Sequence, residues 1–140
     1  EAARLVTLSA CETGIGDVNE LPDEFIGLSA GFLQAGAQAV VSSLWTVEDR
    51  STALLMERRY NNIRDETNPM ELAQALREAQ FWLRDATAQE IGDYYQTYLI
   101  SRMSHSEAAD AFIELMQRAA PGEKPYAHPF YWAAFTFNGL

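Results

Sequence analysis

Two short apolar runs, Leu5 to Ala10 (LVTLSA) and Ala39 to Leu44 (AVVSSL), are rich in Val, Leu, Ser and Thr and are bounded by Gly or polar clusters. Runs of that length and composition read as strands buried on both faces. A third run, Trp132 to Phe137 (WAAFTF), reads the same way. Between the first two, Phe25, Leu28, Ser29, Phe32 and Leu33 recur at helical spacing. Pro22 suits a first helical position, because the N–H it lacks is one the first turn leaves unbonded. Residues 4 to 45 therefore spell strand, loop, helix, strand, with the helix over about 22 to 35. That is one βαβ unit, whose strands are expected to lie adjacent and parallel with a right-handed crossover.

The rest of the chain is patterned as helices. One is expected from about Glu48 to Ile63. Three start signals follow, Asn68-Pro-Met-Glu71, Thr87-Ala-Gln-Glu90 and Ser104-His-Ser-Glu107. Each places a capping residue three positions before a Glu, so that side chains satisfy the free N–H groups of the first turn. Behind them run three apolar stripes: Leu72, Leu76, Ala79 and Leu83; Ile91, Tyr94, Tyr95, Tyr98 and Leu99; Ala108, Ala109, Phe112 and Met116. Such stripes are faces that bury against a core or dock on a neighbour. Pro121 to Pro129 reads as a loop into the last strand. Three strands against about five helices are few for an α/β domain, whose sheets usually carry five or six strands covered on both sides. The sheet is expected to be continued by a portion of the protein preceding Glu1, and the abrupt start without Met fits that expectation.

Composition narrows the class. The 140 residues, 48% of them hydrophobic, suffice for one core and are too few for two ordinary domains. No stretch of about 18 apolar residues occurs, and Glu1 does not open a basic region followed by an apolar one. Neither a membrane span nor a signal peptide is expected, and the chain reads as cytoplasmic. Its 20 acids against 10 bases give a net charge of -10, which argues against nucleic acid or an anionic membrane as partner and favours a basic ligand.

The single cysteine, Cys11, cannot form an internal disulfide or a thiolate zinc site, and no cofactor or metal is expected. It is either a small buried hydrophobe or a reactive thiol. Its place at the carboxyl end of a strand is where open α/β sheets put catalytic groups. Gly14 and Gly16 permit a tight turn that exposes the thiol and frees its N–H to donate to an oxyanion. Two other chemistries fail on spacing. A phosphate-binding cysteine loop needs an Arg about six residues on to pair with the oxyanion, and position 17 is Asp. The esterase nucleophile elbow needs Gly two residues either side, and those positions are Ser9 and Thr13.

Three phrases, Ser-Ala-Cys11-Glu-Thr-Gly14, Gly36-Ala-Gln-Ala-Val-Val-Ser-Ser-Leu-Trp45-Thr-Val-Glu-Asp49-Arg-Ser-Thr and His128-Pro-Phe-Tyr-Trp132-Ala-Ala-Phe, resemble in order the C-terminal part of the CHAT domain. The resemblance implies an α/β fold, a three-layer αβα caspase-like sandwich, of which residues 1–140 form the C-terminal portion of a single domain. Residues 86–118 would be a helical insertion within it. It also implies a Cys-His dyad with Cys11 as nucleophile, its histidine lying upstream in a His-Gly motif, and frequent attachment to tetratricopeptide repeats. His128 falls in the motif entering the last strand and reads as structural, and His105, inside a capping signal, as surface. A Gly-Glu-Gly stretch usual in the family is replaced by Asn19-Glu-Leu-Pro-Asp-Glu24.

Acids crowd the expected site: Glu12, Asp17, Glu20, Asp23 and Glu24 disfavour a thiolate, so Cys11 needs a histidine or helix N-terminus to react. The Leu-Trp45-Thr-Val-Glu-Asp49-Arg phrase is similar to the separase segment that holds a basic P1 residue, which makes Asp49 the candidate substrate-binding acid and Glu48 the reserve. Asp49 fits equally as the acid of a capping box begun by Thr46. The expected activity is a cysteine endopeptidase cleaving protein or peptide substrates after Arg or Lys. A non-catalytic regulatory or protein-interaction module is the alternative, and a ligase using the same acyl-enzyme a third reading.

Overall fold

The computed structural model describes residues 4–8, 21–99 and 105–139. Its centre is a three-stranded mixed sheet in the order β1 (Val6–Leu8), β2 (Ala39–Ser43), β3 (Phe135–Gly139). β1 and β2 are parallel, with Val6 opposite Val40 and Leu8 opposite Ser42, and α1 (Leu21–Gln34) connects them. This is the expected βαβ unit. β3 runs antiparallel to β2, with Val41 opposite Phe137 and Ser43 opposite Phe135.

β2 is buried along its whole length because its two faces meet different layers. Its Ser42 hydroxyl accepts a hydrogen bond from Ser29 of α1 at 3.2 Å. On the opposite face Val41 joins the main core with Phe135 of β3, Leu54 and Leu55 of α2 (Asp49–Arg64), and Leu76, Ala79 and Leu83 of α3 (Leu72–Asp85). α1, the sheet and the α2–α3 pair are thus three layers, the arrangement that an alternating strand–helix pattern demands. α4 (Ala88–Tyr94) passes into a π-helical turn over Tyr95–Leu99, α5 (His105–Arg118) follows, and a single turn, α6 (Pro129–Trp132), precedes β3. Among the described residues no helix is long and apolar enough to cross a membrane.

Three expectations need correction. The last strand begins at Phe135, because His128 and Pro129 start a helical turn over the first part of the run and Ala133 caps it. With α6 the described helices number six, in keeping with the expected three strands and about five helices. Asn68 does not cap α3: the Asp65 carboxylate draws in the N–H groups of Thr67 and Asn68 at 2.9 and 3.1 Å, and the helix starts at Leu72 with Glu71 as a cap that makes no side-chain bond. The buried face of α5 is Ala111, Leu115 and Ala119, while Phe112 and Met116 are half-buried and Ala109 is exposed.

Thr87 and Glu90 do form the reciprocal capping box, with Glu90 N–H donating to the Thr87 hydroxyl and Thr87 N–H to the Glu90 carboxylate. Ser104 lies outside the described residues. Tyr94 and Tyr95 are core residues: Tyr94 packs on Trp82 with ring centroids 4.9 Å apart and accepts a hydrogen bond from Asn61 at 2.7 Å.

Candidate functional site

Parallel pairing sends the carboxyl ends of β1 and β2 to the same edge of the sheet. From that edge the chain continues out of β1 toward Cys11, three positions beyond Leu8, and out of β2 toward Glu48 and Asp49. Cys11, Glu12, Asp17 and Glu20 lie outside the described residues. The backbone of Asp23 and Glu24 belongs to the first turn of α1.

The segment after β2 is pinned from the β3 side. Leu44 donates its N–H to the Ala134 carbonyl at 2.8 Å, and the Trp45 indole N–H donates to the Phe130 carbonyl at 3.1 Å. α6 itself is capped by His128, whose Nδ1 accepts the Phe130 N–H at 3.2 Å, with Pro129 in its first turn. The His128 and Trp45 phrases, some 80 residues apart, therefore meet at one edge, and His128 has the structural role its position suggested. Gln80 of α3 locks the junction by donating to the carbonyls of Trp132 and Phe135 at 2.9 and 3.0 Å. Neither Phe130 nor Gln80 was visible as a site residue in the sequence, because Phe130 acts through a backbone carbonyl and Gln80 sits on the polar side of a helical stripe.

Glu48 and Asp49 have separate duties. Glu48 is the N-cap of α2: its Oε2 accepts the Ser51 N–H at 2.7 Å, and the Ser51 hydroxyl donates back to the Glu48 carbonyl at 3.0 Å. Asp49 is the first residue of the helix and is exposed, and the N-cap is Glu48, two positions later than the Thr46 cap that the Thr46–Asp49 pattern implies. An acid in the first turn is favoured by the positive end of the helix dipole. Beneath these acids Tyr95 and Tyr126 are buried. Burial, and after it the Glu48 carboxylate, pushes the Tyr126 hydroxyl up, and burial does the same to Tyr95, so both remain neutral phenols.

A first-turn carboxylate on the edge to which the cysteine strand also leads can bind a cation presented there. Among the described residues no group of three His, Cys, Asp or Glu could hold a metal ion. The family model of the CHAT domain matches residues 1–139. No curated protein and no solved structure matches the chain.

Proposed function

Since the chain belongs to the CHAT-domain family, which is caspase-like, we propose that it carries the nucleophile and the P1 pocket of a cysteine endopeptidase that cleaves after basic residues. The match across residues 1–139, which includes the Cys11 phrase, carries this reading. Adjacent parallel strands support it, because the carboxyl end of β1, the strand that precedes Cys11 in sequence, and that of β2, which precedes Glu48 and Asp49, lie at one edge of the sheet. The Cys11 thiolate attacks the scissile carbonyl, and backbone N–H groups, that of Cys11 among them, hold the oxyanion. A histidine from upstream protonates the leaving amine, and water then hydrolyses the thioester.

Asp49 is the acid assigned to a P1 guanidinium or ammonium. Glu48, one of whose oxygens closes the helix cap, is the reserve candidate. A charge-assisted hydrogen bond contributes roughly 1.5–3 kcal/mol, which is about tenfold or more in kcat/KM.

Peptides with Arg, neutral or Asp at P1, offered to the full-length protein, test the proposal. Cleavage of the Arg peptide, lost in Cys11→Ala, is the expected result. Asp49→Ala should lower kcat/KM for Arg by about tenfold or more relative to the neutral peptide. Residues 1–140 alone should be inactive, because the absent general base supplies about two to four orders of magnitude. A full-length protein that neither cleaves nor labels at Cys11 with a peptidyl electrophile would instead be a non-catalytic interaction module.

A further inference from the structure

Asp49 stands between two residues that α5 grips. Arg50, which follows it, pairs with Glu114 of α5. Glu48, which precedes it, faces Arg118 of α5 with Oε1 and Nη1 3.7 Å apart, while its other oxygen holds the Ser51 N–H. Glu114 and Arg118, one helical turn apart, pair at 3.6 Å. Two cations and two anions therefore alternate through Arg50, Glu114, Arg118 and Glu48, and the backbone through Asp49 closes the ring.

The ring rests on a fixed floor. Ala111, Leu115 and Ala119 bury the apolar face of α5, so its charged edge keeps one register over the first turn of α2. The Glu48, Arg50, Glu114 and Arg118 side chains are 27–54% exposed, and isolated pairs that exposed contribute little to stability. Joined in a ring, they restrain one another and fix the geometry of the short backbone segment they bracket.

Resting on the peptidase reading above, we propose that α5 positions the P1 acid, with Glu114 and Arg118 as positioning residues that set the discrimination in favour of basic P1 side chains. This gives the segment 86–118 a role in specificity in addition to its share of the core.

The test is the ratio of kcat/KM for Arg and neutral P1 peptides in the full-length protein carrying Glu114→Gln, Arg118→Ala or Arg118→Lys. Glu114→Gln and Arg118→Ala should lower the ratio about three- to tenfold, chiefly through the Arg peptide, and Arg118→Lys, which keeps the charge, should restore most of it. A purely structural role would lower both peptides alike and leave the ratio at the parent's value, and that result overturns the inference while the peptidase reading stands. A parent protein without Cys11-dependent cleavage overturns both.

Discussion

Arg59 is the largest fully buried side chain among the described residues. It shares the inward stripe of α2 with Ser51 and Leu55 and lies under β1, where its Nη1 donates to the Thr7 hydroxyl at 3.4 Å, near the limit for a hydrogen bond. The guanidinium also stands 5.5 Å from the Tyr60 ring. Among the described residues nothing accepts from its Nε or Nη2, and burial pushes its pKa down. Taking such an ion out of water costs several kcal/mol even after relaxation. Against this, one long charged hydrogen bond returns at most roughly 1.5 kcal/mol, and the Tyr60 face about 0.5–2 kcal/mol.

Arg59→Met keeps an unbranched apolar stem of similar reach and deletes the unpaired charge. The protein should become more stable by about 1–3 kcal/mol, measured by urea denaturation. Thr7→Val supplies the cross-check. In the parent it strips Arg59 of its acceptor and Tyr60 of a 3.4 Å contact, which should cost about 1–2 kcal/mol. In the Arg59→Met background most of that cost should vanish, because the coupled partner is gone. If Arg59→Met instead destabilises by more than about 1 kcal/mol, with no coupling to Thr7, the guanidinium is satisfied and the reasoning fails.

Two further outcomes follow from the backbone. Gly36 ends α1 at φ 97°, with its own N–H bonded to the Leu33 carbonyl and that of Ala37 to Phe32, each at 3.0 Å, so Gly36→Ala must hold a side chain in the left-handed region and should cost about 1–2 kcal/mol in the same denaturation assay. Thr87→Ala removes the cap of α4 and should cost about 1 kcal/mol at neutral pH. The Glu90 carboxyl is held below its usual range by the Thr87 N–H and hydroxyl. A depressed folded pKa gives stability that is present above the unfolded carboxyl value and lost as pH falls through the folded one, so the gap between Thr87→Ala and the parent should narrow below about pH 4.

The βαβ unit was legible because independent signals agreed on it: two runs of strand-forming residues, one helical stripe between them, and a proline suited to the first turn of that helix. α3 and α4 were legible from periodicity and, for α4, from a local cap. The misplacements share one cause, which is competition for backbone groups by residues just outside the pattern. Asp65 accepted the Asn68 N–H that the Glu71 carboxylate would take in a capping box, and a Pro129 turn capped by His128 consumed the first residues of the expected last strand. Neither event changes the hydrophobic pattern, so periodicity alone could not reveal it. The face of α5 failed for another reason: Ala108, Ala109, Phe112 and Met116 form as good a stripe as Ala111, Leu115 and Ala119, and what the helix packs against decides between them.

The candidate site divides along the same line between local and long-range determinants. That Cys11 and Asp49 follow adjacent strands was readable, since parallel pairing alone sends both strand ends to one edge. How the two acids after β2 divide their work was not. The local pattern offered Thr46 with Asp49 as a cap, whereas Glu48 caps the helix and meets Arg118, 70 positions away in sequence. An ion pair of that separation leaves no periodicity to read, because each partner by itself is only a charge on a polar helix surface. Asp49 and Glu48 are interchangeable by residue type. On the proposal above, it is α5 and the helix cap that distinguish them as ligands for a basic side chain, and specificity at this edge is then a property of the packing of α5 as much as of the motif that carries the acids.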